Sequence, residues 1–317
     1  MRALHEESYE VRVPASTANL GAGFDCLGLA LELYLRVRAT VLSGPGARTV
    51  ARSQGVDGSS DLPTSPERNL ILRAMRHTAE NEGFELPPVR LAVRNEIPMA
   101  SGLGSSAAAT VAGVALGFIL NGKSIPKEAA LRYASEMEGH ADNVGAALLG
   151  GLVVTLTRSD GSVAAVARRW PKMIRIVAVT PDVPLETEKS RGVLPQSVKR
   201  ADAVHNLQRS ALLVAALEER RYDLIWDALQ DRLHQPYRKS LIPGLADVLA
   251  MPRTPGLLGL ALSGAGPSVI ALATAQYDEV GRTIACHFER NGLTSTIRKL
   301  EAAQEGIAVS EKHASRR

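Results

Sequence analysis

Pro98-Met-Ala-Ser-Gly-Leu-Gly-Ser-Ser-Ala-Ala108 is the stretch on which the reading of this chain turns. Ahead of it, Val89, Leu91 and Val93 alternate with polar residues, the period of a half-buried strand. Behind it, Ser105 to Leu120 is an apolar, Ala-rich run long enough for a buried helix. A turn of small residues therefore feeds a helix N-terminus. Gly102-Leu-Gly-Ser-Ser-Ala107 also satisfies G-x-G-x-x-A, but a dinucleotide fingerprint follows its strand directly and needs an acid about 20 residues on. Here Ile97 to Ser101 intervene, and Asn121 to Ile125 carry no acid. No Gly-Lys-Ser/Thr follows the glycines, so the loop is not a Walker A motif either. What remains is a run of small residues that lets backbone N–H groups approach an anion, with two hydroxyls, Ser105 and Ser106, and the positive end of a helix beside it. Those are the parts of a phosphate site.

Outward from the loop the chain reads as two-part α+β, residues 1–160 and 161–305, with a polar tail, 306–317, expected to fray. Tyr9, Val11 and Val13 alternate as a strand that Pro14 is expected to end, and Ala15 to Asp25 is too polar for a core. Leu31 to Val41 is a second strand, and Ser43 to Pro66 a solvent-exposed loop or ragged hairpin. Helices are expected from Asn69 to Asn81 and from Ser124 to Glu138, the latter bracketed by Pro126 and Gly139. The second part offers strands at Met173–Val179, Leu257–Leu262, Val269–Ala273 and Ser295–Leu300. Its helices are Ala201–Glu219, Leu224–Leu233 and Gln276–Asn291.

Composition narrows the function. The 317 residues are 45% hydrophobic and 22% charged, which excludes disorder. The net charge of +4 is scattered, too weak a surplus to argue for nucleic acid. The two cysteines, Cys26 and Cys286, imply no disulfide framework and a reducing, cytoplasmic compartment. The N-terminus has no apolar h-region and no run has lipid-facing character, so neither secretion nor a membrane is expected.

Pro98 to Ala108 resembles the phosphate-binding loop of the GHMP small-molecule kinases. Three further segments, Pro14 to Gly28, Glu138 to Val144 and Leu262 to Ser268, are similar to motifs of the branch of that family whose substrate is L-homoserine, and they occur in the family's order. The resemblance implies a ribosomal protein S5 domain 2-like first half and a ferredoxin-like second half. It implies transfer of the γ-phosphoryl of ATP to the homoserine hydroxyl, on the route to threonine. A homodimer is carried as the candidate assembly. A polyol or isoprenoid alcohol as acceptor, and a non-catalytic ligand-sensing homologue, are the competing expectations.

Phosphoryl transfer through a loose transition state asks for a backbone cradle, a metal and a substrate clamp. By resemblance ATP lies on Pro98, Met99, Ala100, Ser101, Gly102, Leu103, Gly104, Ser105, Ser106, Ala107 and Ala108. Mg²⁺ is expected on Glu138 with Ser105 or Ser106, since that cation takes oxygen ligands and Glu138 stands at a helix C-terminus, where an acid has weak structural reason to be. The resemblance places Asn19 and Asp25 at the ammonium of the substrate and Arg191 and Arg238 at its carboxylate, with His140, Asp142 and Asn143 lining the same pocket. Arginine suits a carboxylate because its planar fork can pair with both oxygens. Asn19, Asn143 and Arg191 are expected to position the transition state. Ser263, Gly264, Ala265 and Gly266 are expected to support the loop. No general base is assigned.

Overall fold

The computed structural model describes residues 7–44, 46–55, 63, 65 and 67–313. Its strands are β1 (Glu7–Ala18), β2 (Leu27–Val41), β3 (Val50–Gly55), β4 (Val89–Asn95), β5 (Leu152–Thr157), β6 (Val163–Arg168), β7 (Arg175–Pro181), β8 (Leu257–Leu262), β9 (Val269–Ala273), β10 (Ser295–Leu300) and β11 (Ala308–His313). The α-helices are α1 (Leu70–Glu82), α2 (Ser105–Ile119), α3 (Lys127–Glu138), α4 (Asp142–Leu149), α5 (Thr187–Gly192), α6 (Arg200–Glu218), α7 (Ile225–Ala228), α8 (Gln235–Arg238), α9 (Leu245–Leu249) and α10 (Tyr277–Arg290).

Two sheets carry the architecture, as expected for two-part α+β. The first has the path β11-β1-β2-β4-β3, with β5 paired to β2 and β6 to β5. Strand β4 alternates strictly, buried at Val89, Leu91, Val93 and Asn95 and exposed between them, so its outer face is open while the sheet's inner face lies under α2 and α4, with α1 packed on α2. The second sheet, β10-β7-β9-β8, is antiparallel and packs α10 against β7 and β10. Helix α2 is buried over nearly its whole length, Ala107 through Phe118, which explains its even apolar composition.

Local chemistry sets the ends of the elements. Asn69 caps α1 by accepting the Leu72 N–H, and Gly139 closes α3 in the left-handed region. The expected stop at Pro14 is not found. Strand β1 continues to Ala18 because its register shifts between Pro14 and Ala15, a bulge at which a residue without an N–H breaks no ladder. Ala15 to Ala18 are consequently buried rather than too polar for the core.

The division at residue 160 and the frayed tail are also corrected. Strand β6 pairs with β5 across residue 160, so the first sheet extends to Arg168. Within the expected tail, β11 pairs antiparallel with β1 from Glu7↔His313 to Arg12↔Ala308, where main-chain pairing compensates for its polar side chains. The segment expected as loop or hairpin holds β3, parallel to β4, while residues 45, 56–62, 64 and 66 lie outside the described residues. The expected helix over Leu224–Leu233 is only the single turn of α7, because Asp231 draws the next N–H groups into a turn of its own.

Candidate active site

The cleft lies where the N-terminus of α2, the end of α3, the start of α4 and the turn after β1 meet the second sheet's β8–β9 loop. It encloses about 110 Å³. Gly102 and Gly104 take φ of +78° and +72°. A side chain at Gly102 would strike the Ser263 carbonyl, and one at Gly104 the Ser16 hydroxyl, so both positions require glycine for space as well as for conformation. Gly104 caps α2 without any side-chain hydrogen bond, and the first turn of α2 holds no acid. The amides of that turn and the helix dipole are therefore available to an anion from outside.

The β8–β9 loop holds this cradle in place. Ser263 Oγ donates to the Gly102 carbonyl at 2.7 Å and lies 2.8 Å from Thr17 Oγ1. The Ser268 N–H donates to the Ser101 carbonyl and the Gly264 N–H to the Ala18 carbonyl. The β8–β9 loop is thus stitched to the cradle by the Ser263 hydroxyl and by main-chain N–H groups, with Gly264 and Ala265 also on the cleft wall.

Glu138 projects from the end of α3 toward the first turns of α2. Its Oε1 accepts from Ser106 Oγ and from Thr110 Oγ1, each at 2.7 Å. An acid that is misplaced for its own helix dipole is thereby set against the positive end of another. Ser105 Oγ instead lies 3.5 Å from Asn95 Nδ2. Among the described residues no group of three or more His, Cys, Asp or Glu side chains could hold a metal ion. A cation at Glu138 would therefore share one carboxylate, hydroxyls and the oxygens of a bound phosphate, a donor set that suits Mg²⁺.

Across the cleft stand the charged side chains. Arg191, on α5, grips Asp25 with both arms of its fork, Nη2 to Oδ1 at 2.7 Å and Nη1 to Oδ2 at 3.1 Å. Two residues expected at opposite ends of a substrate are thus paired with each other. The Asp25 hydrogen bond holds the Arg191 guanidinium protonated above its ordinary range. Asp25 and Asn19 both sit at positive φ, a conformation Asp and Asn tolerate. Asn19 Oδ1 accepts the Asp25 N–H and its Nδ2 donates to the Gly264 carbonyl, tying the turn to the β8–β9 loop.

Arg238 is 1% exposed yet lines the cleft. Burial, then the positive charge of Arg191, lowers its pKa to about 10, which still leaves it charged at neutral pH. Phe24 lies under both guanidiniums, 5.7 Å from Arg191 and 5.6 Å from Arg238. At the start of α4, Asp142 Oδ1 accepts from the Asn143 N–H and lies 2.8 Å from His140 Nδ1. Burial works against protonating His140, but the hydrogen bond and charge of Asp142 outweigh it and raise its pKa. Asn143 Oδ1 accepts from Ser16 Oγ at 2.9 Å.

Asn19, Asp25, Glu138, His140, Asp142, Asn143, Arg191 and Arg238 all line this cleft, with Pro98, Ala100, Ser101, Gly102 and Gly104 to Ala107. Met99, Leu103 and Ala108 are not brought to it. Leu103 and Ala108 turn into the core at 0% exposure, as a loop folded onto a packed helix requires, and Met99 faces solvent. Thr110, Phe24 and Thr187 were missed in the sequence. Only Thr110 left a signal, one helical turn beyond Ser106 on the same face.

A sequence profile of the GHMP kinases N terminal domain matches residues 69–151, and one of the GHMP kinases C terminal region matches residues 213–290. The chain belongs to the GHMP kinase family, and its fold is that family's fold. It is 41% identical to the homoserine kinase of Desulfitobacterium hafniense over 300 residues, covering 94% of this chain and 99% of that one. The crystal structure of homoserine kinase from Cytophaga hutchinsonii superposes with a TM-score of 0.83 at 31% identity, over 98% and 99% of the two chains. Lactococcus lactis galactokinase complexed with galactose, at 14% identity and a TM-score of 0.70 over 95% of each chain, shares the fold alone.

Proposed function

We propose that this chain transfers the γ-phosphoryl of ATP to the side-chain hydroxyl of L-homoserine, giving O-phospho-L-homoserine in the cytoplasm. One observation carries the reading. A carboxylate and two guanidiniums, Asp25, Arg191 and Arg238, share one small cleft with an uncapped helix N-terminus and Glu138. An apolar alcohol or a sugar calls for no such triplet, whereas an amino acid carries one ammonium and one carboxylate to match it. The two homoserine kinases named above support the same acceptor, and among the described residues no helix is long and apolar enough to cross a membrane.

In this reading the amides at Gly102 to Ser106 hold the phosphates, and Glu138 with Ser106 holds Mg²⁺. Ser106 is preferred to Ser105 because it already reaches Glu138. When bound, the metal neutralises charge on the transferring phosphoryl. Asp25 with Asn19 receives the ammonium and Arg191 the carboxylate, so the substrate exchanges its two charges for the Asp25–Arg191 pair. Asn143, fixed by Ser16, and Arg191 position the hydroxyl for attack. No side chain is assigned as base: Asp142 Oδ1 is already occupied by His140 and the Asn143 amide, and a loose transition state lets the proton leave late.

An assay coupling ADP release to NADH oxidation, with homoserine, galactose and mevalonate compared at equal concentration, tests the proposal. Turnover on homoserine alone is expected. Turnover on either of the others at a comparable kcat/KM rejects it.

A further inference from the structure

Arg238 enters the cleft with most of its hydrogen-bonding capacity already committed. A guanidinium has five N–H donors. Nε donates to the Ser190 carbonyl at 3.1 Å, and Nη1 donates to the Gly264 carbonyl and to His234 Nδ1, each at 3.0 Å. Among the described residues nothing accepts from Nη2. Arginine only donates, so His234 Nδ1 must carry a lone pair. His234 Nε2 lies 2.8 Å from the Gly21 carbonyl, which only accepts, so Nε2 must carry the proton. The two partners together select one neutral tautomer.

That imidazole is 0% exposed and stacks on Phe24 with centroids 5.2 Å apart. Its turn is fixed by the Asp231 carboxylate, which accepts the N–H groups of Leu233, His234 and Gln235. The charges around it are Asp231, whose Oδ2 is 3.6 Å from Nε2, the Arg238 guanidinium, and Asp25 with its partner Arg191 beyond Phe24.

We propose that His234 is a positioning residue for the carboxylate of the substrate. As a neutral acceptor it fixes the rotation of the Arg238 guanidinium so that Nη2 alone faces the cleft, making Arg238 an end-on, single-nitrogen ligand and leaving two-point pairing to Arg191. This rests on the reading that the cleft holds homoserine.

Steady-state kinetics of His234→Gln and His234→Asn test it, with 3-amino-1-propanol, which is homoserine without its carboxylate, as substrate or competitive inhibitor. The glutamine amide can replace the Nε2–H but offers no acceptor at the Nδ1 position, while the asparagine carbonyl restores one. His234→Gln is expected to raise KM for homoserine about tenfold, the scale of one hydrogen bond to a charged group. Its kcat and its KM for ATP should stay within about twofold of wild type, with most of the homoserine KM recovered in His234→Asn. The propanolamine constants should be the same in all three proteins.

An unmoved homoserine KM in His234→Gln, or an equal loss on both ligands, overturns the proposal. Circular dichroism and Tm establish that each variant folds. If His234→Gln does not, His234→Asn decides alone, since a tenfold rise in its homoserine KM contradicts an acceptor role. A wild type inactive on homoserine defeats the substrate reading and this inference with it, whereas wild-type turnover with indifferent variants defeats this inference only.

Discussion

The two walls of the cleft are built on opposite principles. The phosphate wall is main chain: glycines at positive φ, the open first turn of α2 and one carboxylate, almost all within residues 98 to 138. The opposite wall is side chain, gathered from β1's turn, α4, α5 and α8, with Arg191 meeting Asp25 across 166 positions of sequence. Backbone amides recognise any phosphate, so the first wall suits a whole family. Side chains can be exchanged one at a time, so in the proposed function the second is the wall that decides the acceptor.

If that division holds, damage to the phosphate wall should reduce turnover and spare acceptor binding. Glu138→Ala is expected to lower kcat about 10³-fold, the loss typical of removing one element of preorganised charge stabilisation. The dissociation constant for homoserine, measured calorimetrically without nucleotide, should change less than about threefold, because the hydrogen bonds of Glu138 go to Ser106 and Thr110 on α2 and not to Asp25, Arg191 or Arg238. Near-normal kcat at saturating Mg²⁺ would remove Glu138 from the metal site and blur the comparison.

Damage to the other wall should do the reverse. Homoserine should exceed 4-hydroxybutyrate in kcat/KM by about a hundredfold, because without an ammonium Asp25 has only Arg191 to pair with and the two cannot both serve the ligand. Asp25→Asn should lose most of that preference whatever its residual rate. Equal efficiency of the two acceptors in wild type would falsify the amino-acid pocket.

The unequal legibility of the two walls follows from the same difference. Gly102, Gly104, Ser106 and the helix behind them are neighbours in sequence, so spacing alone exposed a glycine turn feeding an open helix N-terminus, and Glu138 stood out as an acid at the wrong end of a helix. Nothing local marks Asp25 as the partner of Arg191, or His234 as the acceptor for Arg238. Those contacts arise only when the second sheet docks on the first, and the family resemblance supplied the residues without their pairing. The fold shows the same limit. Strand β4 and helix α1 show their periods in the sequence and α2 its length and alanine content, whereas β3 and β11 are polar edge strands whose order comes from their neighbours' ladders. Helix α4, eight residues in which Asp142 and Asn143 precede an apolar run, is too short to show a period.

Substituting each arginine by lysine sharpens the contrast within the charged wall. Arg191→Lys should raise KM for homoserine about tenfold, since lysine keeps the charge but cannot match both carboxylate oxygens. It should leave Tm almost unchanged, because its pair with Asp25 is partly exposed. Arg238→Lys should raise the same KM by a similar factor, about tenfold, because the one Nη2 contact offered to the ligand is lost although the charge is kept. It should also lower Tm, since three internal hydrogen bonds lose their donor geometry. Thermal scans beside kinetics separate the two, and identical profiles would place both arginines in one role.

The smallest effect concerns pH. Burial first, and then the charge of Arg238, depresses the pKa of His234 in the folded protein, although Asp231 opposes the shift. In the unfolded chain the same imidazole titrates near the ordinary value of about 6.5. Between the two values the unfolded state holds a proton that the folded state does not, so stability falls as the pH drops through about 6.5 and the contribution is intact above it. One proton of difference changes stability by at most about 1.4 kcal/mol per pH unit. His234→Asn removes the titrating group while keeping an acceptor for Arg238, so its urea midpoint should fall less than that of wild type between pH 7.5 and 5.5. The two proteins share every other titrating group, including His140, whose pKa burial lowers but the hydrogen bond and charge of Asp142 raise on balance, so that it acts in the opposite direction. Parallel midpoints across that range would mean that the buried imidazole accepts a proton in the folded state, and the neutral tautomer facing Arg238 would have to be abandoned.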